Sequence, residues 1–204
     1  MGSRGLPLEL RRTISREEIN ELPVRRYEGA VHLISTPQDL DRAMGDIRAE
    51  RVLGFDTETR PAFRKGEHHL PCLVQVATAR AVHLFPLQRM DFSAALAELL
   101  AARDRIKIGV SVAHDLRQLK LVFPFEEASM LDAGATVQRH GLEQTGLRNL
   151  AALFLGFRIP KGNRTSNWAA RRLSPAQLTY AATDAWVCRE LFLRFQELDL
   201  LLDS

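Results

Sequence analysis

Cysteine, lysine and long apolar runs are all scarce in this sequence. Its 204 residues include only two cysteines, Cys72 and Cys188, which excludes a disulfide scaffold and a zinc site made of four cysteines. No apolar run approaches the roughly 18–20 residues that a membrane-spanning helix needs. The first residues, MGSRGLPLELRRTIS, lack the apolar core of a secretory signal. We therefore expect a cytoplasmic protein without membrane association.

The composition predicts a globular protein, with 46% hydrophobic and 26% charged residues. No internal repeat or flexible linker divides the chain. Residues 1–29 mix arginines and glutamates with scattered prolines, and we interpret them as an N-terminal arm or strap. Residues 30–204 are predicted to form one domain.

Acidic residues are absent between Glu143 and Asp184. The basic residues of this stretch are Arg148, Arg158, Lys161, Arg164, Arg171 and Arg172. A segment of one charge sign in a balanced chain favours an anion-facing surface, and phosphates are the commonest anions. A solvated basic face would give the same pattern.

The order of the predicted elements indicates an α/β fold. Five short apolar runs are typical of strands: 30–34, 51–56, 71–78, 81–85 and 106–110. Helices are predicted at 36–49, 91–103, 114–121 and 146–156, and from Ser174 onward. Thr36 and Ser174 are each followed by a proline, which is typical of a helix start. We expect a mixed sheet flanked by helices, with residues from Leu131 onward helical.

Asp56 and Glu58 follow an apolar strand at a spacing of two residues, so both side chains point to one face. Two neighbouring carboxylates repel each other unless a cation lies between them, and hard divalent metals are bound in this way. A solvated strand end is the alternative interpretation.

Two further acidic positions stand at helical sites. Tyr180 and Asp184 are four residues apart on the face of the last helix that carries Val187 and Leu191. A carboxylate on an apolar face is costly unless it is compensated. Asp115 follows a predicted strand at the start of a helix. Ordinary helix capping and hydrogen bonding would also explain each position.

Taken in order, these positions resemble the three exonuclease motifs of the DEDD superfamily, tyrosine subclass. FDTETRPAF around Asp56 and IGVSVAHDLRQL around Asp115 look like the first two Werner-type motifs. KGNRTSNWAARRLSPAQLTYAATDAW, residues 161–186, is similar to the third over its whole length. The resemblance covers about residues 30–200 and implies a ribonuclease H-like fold. The chain departs from the usual pattern at Thr59, where an aromatic is common, and at Val110-Ser111 in place of Xaa-Gly.

The resemblance implies a metal-dependent 3′-5′ exonuclease that releases nucleoside 5′-monophosphates by a two-metal mechanism. Asp56 would bridge both ions, Glu58 and Asp184 would complete the first site, and Asp115 would hold the second ion through water. Tyr180 would orient the attacking water. An all-oxygen ligand set favours Mg²⁺ or Mn²⁺ over zinc.

The basic residues are then expected to contact the nucleic acid near its 3′ end, in a single strand or an overhang. The candidates are Lys161, Arg164, Arg171 and Arg172 for the backbone, and Trp168 for stacking on a base, with burial of Trp168 in the core as the alternative. The Werner-type likeness favours DNA over RNA. A nucleic-acid-binding or partner-docking module without turnover remains the alternative. A dehalogenase-type phosphatase is a poor fit because Glu58 stands where that motif needs Asp.

Overall fold

The computed structural model describes residues 12–64, 66–162 and 165–201. A six-stranded mixed sheet forms the centre of the molecule. Its strands are β1 Ala30–Leu33, β2 Val52–Thr59, β3 Pro71–Ala77, β4 Ala81–Pro86, β5 Ile106–Gly109 and β6 Met130–Asp132. The helices are α1 Arg16–Glu21, α2 Pro37–Arg48, α3 Ser93–Ala101, α4 Val112–Leu119, α5 Ala133–Arg139, α6 Leu147–Leu150 and α7 Pro175–Glu197. A π-helical segment, Ala151–Leu155, continues α6. The predicted α/β class is confirmed.

The strand order is β1-β4-β3-β2-β5-β6. Strand β3 runs antiparallel to both of its neighbours, β2 and β4. The other adjacent pairs are parallel. Strand β2 therefore lies inside the sheet, with β3 on one side and β5 on the other, which fixes its side chains in a rigid frame.

Two layers of helices bury the two faces of the sheet. Helices α2, α3 and α4 pack on one face, where Ile47, Leu96 and Leu116 meet Phe55 of β2. Helices α5, α6 and α7 cover the other face, where Phe195 packs edge-on against Phe154. The helix-covered sheet buries both faces of its central strands, which explains why β3 and β4 are apolar almost throughout.

The predicted helix starts at Thr36 and Ser174 are confirmed. Each side-chain hydroxyl accepts a hydrogen bond from the backbone N–H three residues on, at 3.1 Å for Asp39 and 3.2 Å for Gln177. Asp39 and Gln177 bond back to the capping residues' N–H groups, so both caps are complete capping boxes. Within the described ranges, no helix is both long and apolar enough to cross a membrane.

The structure corrects three predicted boundaries. Strand β2 continues to Thr59, so Glu58 lies within the strand and not beyond its end. Helix α4 begins at Val112, which puts Asp115 in its first turn. The region after Leu131 is not helical from its start, because β6 adds a sixth strand beside β5. Three residues give too short a pattern to be recognised without the pairing partner.

Residues 12–29 of the predicted N-terminal arm lie across the domain. Ile14 and Ile19 pack against Ala152, and Val24 forms an isolated bridge with Arg158. The backbone N–H of Tyr27 donates to Thr183 Oγ1 at 3.0 Å. The division of the chain at residue 29 stays a prediction.

Candidate functional site

Helix α7 crosses β2 at Gly54. A Cβ atom at this position would lie 1.9 Å from the carbonyl oxygen of Ala185, so only glycine permits the contact. Asp184 precedes Ala185 on α7, and Asp56 follows Gly54 by two residues on the same face of β2. The close crossing therefore brings the carboxylate of α7 to those of β2.

Three carboxylates converge at this crossing. One oxygen atom each from Asp56, Glu58 and Asp184 can be chosen so that all lie within 4.8 Å of one another. Glu58 and Asp184 are buried, at 8% and 6% exposure. The sequence predicted these three acids as metal ligands, and the fold brings them together.

The crowding of these acids shows in their pKa values. Burial, reinforced by the charges of Asp184 and Asp115, raises the pKa of Asp56 well above its usual range. Burial also raises the pKa of Asp184 to about 7, against the effect of a hydrogen bond from Tyr180. Such groups ionise together only when a cation compensates them, so the site has the electrostatics of a cation-binding site.

Asp115 lies near this group but outside the set of three. Burial raises the pKa of Asp115 to about 6, and a hydrogen bond from Thr57 of β2 partly opposes the shift. Its charge also reaches Asp56. Helix α4 thus places a fourth carboxylate beside the cluster, where a second cation could be held at longer range.

The sequence analysis missed Asp132, which positions Asp115. Asp132 Oδ2 accepts a hydrogen bond from the N–H of Val112 at 3.0 Å, and Oδ1 accepts one from Ala135 at 3.0 Å. One side chain at the end of β6 therefore fixes the starts of both α4 and α5. The signal in the sequence was an Asp directly after an apolar pair, Met130-Leu131.

Tyr180 lies one turn before Asp184 on α7 and donates a hydrogen bond to it. Burial and the charges of Asp184 and Glu58 raise the pKa of Tyr180 above its usual value. The phenol therefore stays protonated and can act as a hydrogen-bond donor but not as a base.

Trp168 supports Tyr180 from the core side. Its ring is 2% exposed and lies 5.9 Å from the Tyr180 ring, centroid to centroid. The Gln177 side chain donates to Ser166 Oγ at 3.0 Å and to the Asn167 carbonyl at 3.2 Å, which ties this motif to the start of α7. The indole thus lies in the core against Tyr180, which is the alternative that the sequence left open, and stacking of Trp168 on a base stays a prediction.

The predicted basic contacts fall in different places. Lys161 is exposed and lines two adjoining clefts that also contain Tyr180 and Asp184. Arg171 lines a separate small pocket beside Trp168, and its carbonyl accepts a hydrogen bond from Arg89 at 2.7 Å. Arg172 is exposed. Arg164 lies outside the described residues. Of the described basic candidates, only Lys161 lines a cleft that contains Tyr180 and Asp184.

Gln75 was also missed. It pairs with Asp56 across β2 and β3 and is 0% exposed, and neither Nε2 nor Oε1 has a hydrogen-bond partner among the described residues. Directly opposed residues of an antiparallel pair share a face of the sheet, so the amide lies on the carboxylate side. A single polar residue inside the apolar run PCLVQVA was the signal in the sequence.

The donor set of the cluster fits a hard divalent cation. All three clustered ligands are carboxylates, and carboxylate oxygens suit Mg²⁺ and Mn²⁺. The nearby Cys188 is buried, and burial raises the pKa of its thiol well above the usual value, so it stays neutral. The site thus offers oxygen ligands only.

Sequence comparison relates this chain to nucleases. The family model for the 3′-5′ exonuclease domain matches residues 31–198. A human protein named exonuclease mut-7 homolog is 27% identical over 211 residues, which cover 87% of this chain and 24% of that protein. Ribonuclease D of Gluconacetobacter diazotrophicus is 31% identical over 164 residues, covering 78% of this chain and 41% of the relative. The chain thus spans 24% and 41% of the lengths of these two relatives.

Solved structures share its fold. The Aedes aegypti Nibbler EXO domain aligns with a TM-score of 0.75 and 25% identity, over 85% of this chain and 90% of that one. Escherichia coli RNase D aligns with a TM-score of 0.72 over 84% of this chain and 46% of that one; at 20% identity it bears on the fold alone. The ribonuclease H-like architecture expected from the sequence is therefore confirmed. With a family model matching nearly its whole length and carboxylates gathered where α7 crosses β2, the chain belongs to the 3′-5′ exonuclease family.

Proposed function

We propose that this protein is a metal-dependent 3′-5′ exonuclease of the tyrosine subclass that removes nucleoside 5′-monophosphates from the 3′ end of a nucleic acid strand. The observation that carries the proposal is the convergence of Asp56, Glu58 and Asp184 within 4.8 Å at the crossing of β2 and α7. Mg²⁺ and Mn²⁺ are the ions that this carboxylate set favours.

Each carboxylate has its own part. Asp56, Glu58 and Asp184 would hold a first ion, and Asp115, beside this group, would help Asp56 to hold a second. When bound, two such ions supply a deprotonated water and neutralise charge on the phosphoryl oxygens and the leaving 3′-oxygen. The chain contributes the fixed spacing and a buried, low-dielectric setting that strengthens these interactions.

Tyr180 is proposed to orient the attacking water. Its hydroxyl lies beside Asp184, and its raised pKa keeps the proton on the phenol. A protonated hydroxyl can hold a water by hydrogen bonding but cannot take its proton at neutral pH. Trp168 packs behind the ring and fixes its orientation.

The proposal also concerns whether the substrate strand is RNA or DNA. The sequence motifs favoured DNA, a preference that the structure does not test and that the names of the relatives do not support. Several relatives carry the name ribonuclease D, and one, from Aquifex aeolicus, is DNA polymerase I. The greater number of relatives named for ribonuclease activity supports RNA, and we expect RNA of the same sequence to be shortened faster than DNA.

The test uses 5′-labelled single-stranded RNA and DNA of one sequence with Mg²⁺, Mn²⁺ or EDTA. We expect a ladder that shortens from the 3′ end and disappears with EDTA. Asp56→Asn should lower kcat/KM by about a hundredfold or more, because it removes one of the negative charges that hold the bound cations in place. Asp41→Asn, an exposed carboxylate on α2, is the matched control and should leave the rate unchanged.

Absence of degradation with either strand and either metal would reject the enzyme. Tight strand binding without turnover would then support the alternative that the sequence left open, a binding module on the same fold. Equal rates for Asp56→Asn and Asp41→Asn would instead place the reaction elsewhere in the molecule.

A further inference from the structure

A cleft of about 610 Å³ lies beside Tyr180 and Asp184, and the N-terminal arm forms one of its walls. Ile14, Arg16 and Asn20 contribute from the arm. Arg148 of α6 and the segment that contains Lys161 also line it. The cleft therefore joins the carboxylate site to a part of the chain that precedes the matched family region.

Hydrogen bonds hold the arm in place at both ends of this wall. The Ile14 N–H donates to Gln144 Oε1 at 2.8 Å, and Gln144 Nε2 donates back to the Ile14 carbonyl at 3.1 Å. Further along, Arg25 N–H donates to the Arg158 carbonyl at 2.9 Å, and Arg158 N–H donates to the Pro23 carbonyl at 2.9 Å. Helix α1 between these anchors begins with a capping box at Ser15. The wall is thus a built part of the domain surface.

Positive charge concentrates in the cleft. The guanidinium groups of Arg16 and Arg148 lie close enough to Lys161 to lower the pKa of its ammonium group. Arg148 Nε is buried and has no hydrogen-bond partner within the described part of the chain. Among the described residues, no carboxylate forms an ion pair with any of the three, and Asp184 is the one acid that lines the cleft. Three cations in one concave site, without an ion-pair partner among the described residues, favour a phosphate.

We propose that the N-terminal arm is part of the substrate site and that Arg16, together with Arg148 and Lys161, binds a backbone phosphate of the strand close to its 3′ end. This inference rests on the proposed exonuclease function. It assigns the arm a role in holding the strand, since Arg16 stands on α1, outside the matched family region, and the buried Arg148 donor is unpaired among the described residues.

Steady-state degradation of the 5′-labelled strand provides the test. Arg16→Ala and, separately, Arg148→Met should each raise KM about tenfold and change kcat by less than about twofold, because removing a phosphate interaction weakens binding without altering the reacting groups. In a plot of log KM against log salt concentration, the slope for each variant should be about 0.7 lower than for the wild type, because one phosphate of the single strand is no longer neutralised by the protein. Arg16→Lys should have a KM close to that of the wild type, because lysine keeps the positive charge.

Arg51→Ala is the matched control. Arg51 is exposed and directly precedes β2. At this end of β2, Arg189 of α7 donates a hydrogen bond to the Val52 carbonyl. Arg189 lies about 13 Å along α7 from Tyr180, so this end of the strand is remote from the cleft. It should change neither KM nor the salt slope. Unchanged thermal unfolding of Arg16→Ala separates loss of binding from loss of folding.

The outcomes separate this inference from the proposed function. A wild-type protein without turnover rejects the function itself. Wild-type turnover with the same KM for Arg16→Ala and Arg51→Ala overturns the role of the arm and leaves the function intact. If Arg16→Ala weakened inhibition by nucleoside 5′-monophosphate and left KM unchanged, the role of the arm in holding the strand would also be overturned. The cleft would then bind the product and not the strand.

Discussion

Gln75 is an unusual residue for the centre of a sheet. A buried side-chain amide whose donor and acceptor both lack hydrogen-bond partners costs roughly 1–3 kcal/mol. Both polar atoms of Gln75 are in this state among the described residues, directly across from Asp56. Such a group in a native protein calls for an explanation, and from its position opposite Asp56 we expect the amide to orient a water or a carboxylate during the reaction.

We expect Gln75→Met to raise the free energy of unfolding of the metal-free protein by about 1–3 kcal/mol, because it removes two unpaired polar atoms at similar volume. The same change should lower kcat about tenfold, since the oriented donor is removed. Denaturant unfolding with EDTA and steady-state turnover measure the two effects. Gln38→Met, at an exposed position of α2, should alter neither. Destabilisation by Gln75→Met, or unchanged kcat, would contradict this role.

At the scale of the elements, the crossing of β2 and α7 determines the site. A Cβ at residue 54 would meet the Ala185 carbonyl at 1.9 Å and the Arg189 nitrogen at 3.0 Å, both backbone atoms that cannot rotate away. Any side chain there must push the helix off the strand. Asp184 would move with it.

Gly54→Ala is therefore expected to destabilise the fold by about 3 kcal/mol, the upper part of the usual range for overpacking. At this chain length the change corresponds to about 6–12 °C in Tm. Residual activity should fall further than stability predicts, because Asp184 no longer reaches Asp56 and Glu58. Calorimetry and the strand-shortening assay provide the two readouts.

Gly45→Ala is the matched control on α2, where an added Cβ meets nothing within 4 Å. It should stabilise the protein by about 0.5–1 kcal/mol, because alanine favours the helix. Similar destabilisation in both variants would mean that the tight crossing does not determine the position of α7.

The elements also show what the sequence could and could not predict. Helices α2 and α7 were predicted because their caps are local signals within four residues. Strand β6 and the role of Asp132 depend on pairing with β5 and on contacts with α4, which are distant in sequence. The clustering of Asp56, Glu58 and Asp184 was expected because their motifs are specific, whereas the approach of Arg16 to Lys161 was not, since only the folded arm brings the two together.

At the scale of the whole molecule, the site makes stability depend on pH and on metal. Burial raises the pKa of Asp115 to about 6 and of Asp184 to about 7 in the folded state. The ordinary value for an aspartate is near 3.9. Between about pH 4 and pH 7, the folded metal-free protein thus binds more protons than the unfolded chain. The contribution of these groups to stability is complete below about pH 4 and is lost as the pH rises through 6 and 7.

A bound cation reverses this dependence, because its ligands must be deprotonated. We expect the Tm increase caused by Mn²⁺ to be small at pH 5 and largest at pH 8. At an Mn²⁺ concentration of one hundred times Kd, the ion should stabilise the folded protein by about 2.7 kcal/mol, which corresponds to a Tm increase of about 5–11 °C. Thermal unfolding with Mn²⁺ and with EDTA across this range provides the measurement. Asp184→Asn should show little increase at any pH, and an increase that does not vary with pH would contradict the assignment.

The crossing at Gly54 also has a consequence for folding. Asp56 stands in the first third of the chain and Asp184 in its last tenth, so their oxygens meet only when the last long helix is docked on β2. A cation cannot nucleate the early sheet, because the ligands from one strand alone do not form the site. We therefore expect the site to bind Mn²⁺ late in folding, and Mn²⁺ binding followed during refolding should report the moment at which the helix docks on the strand.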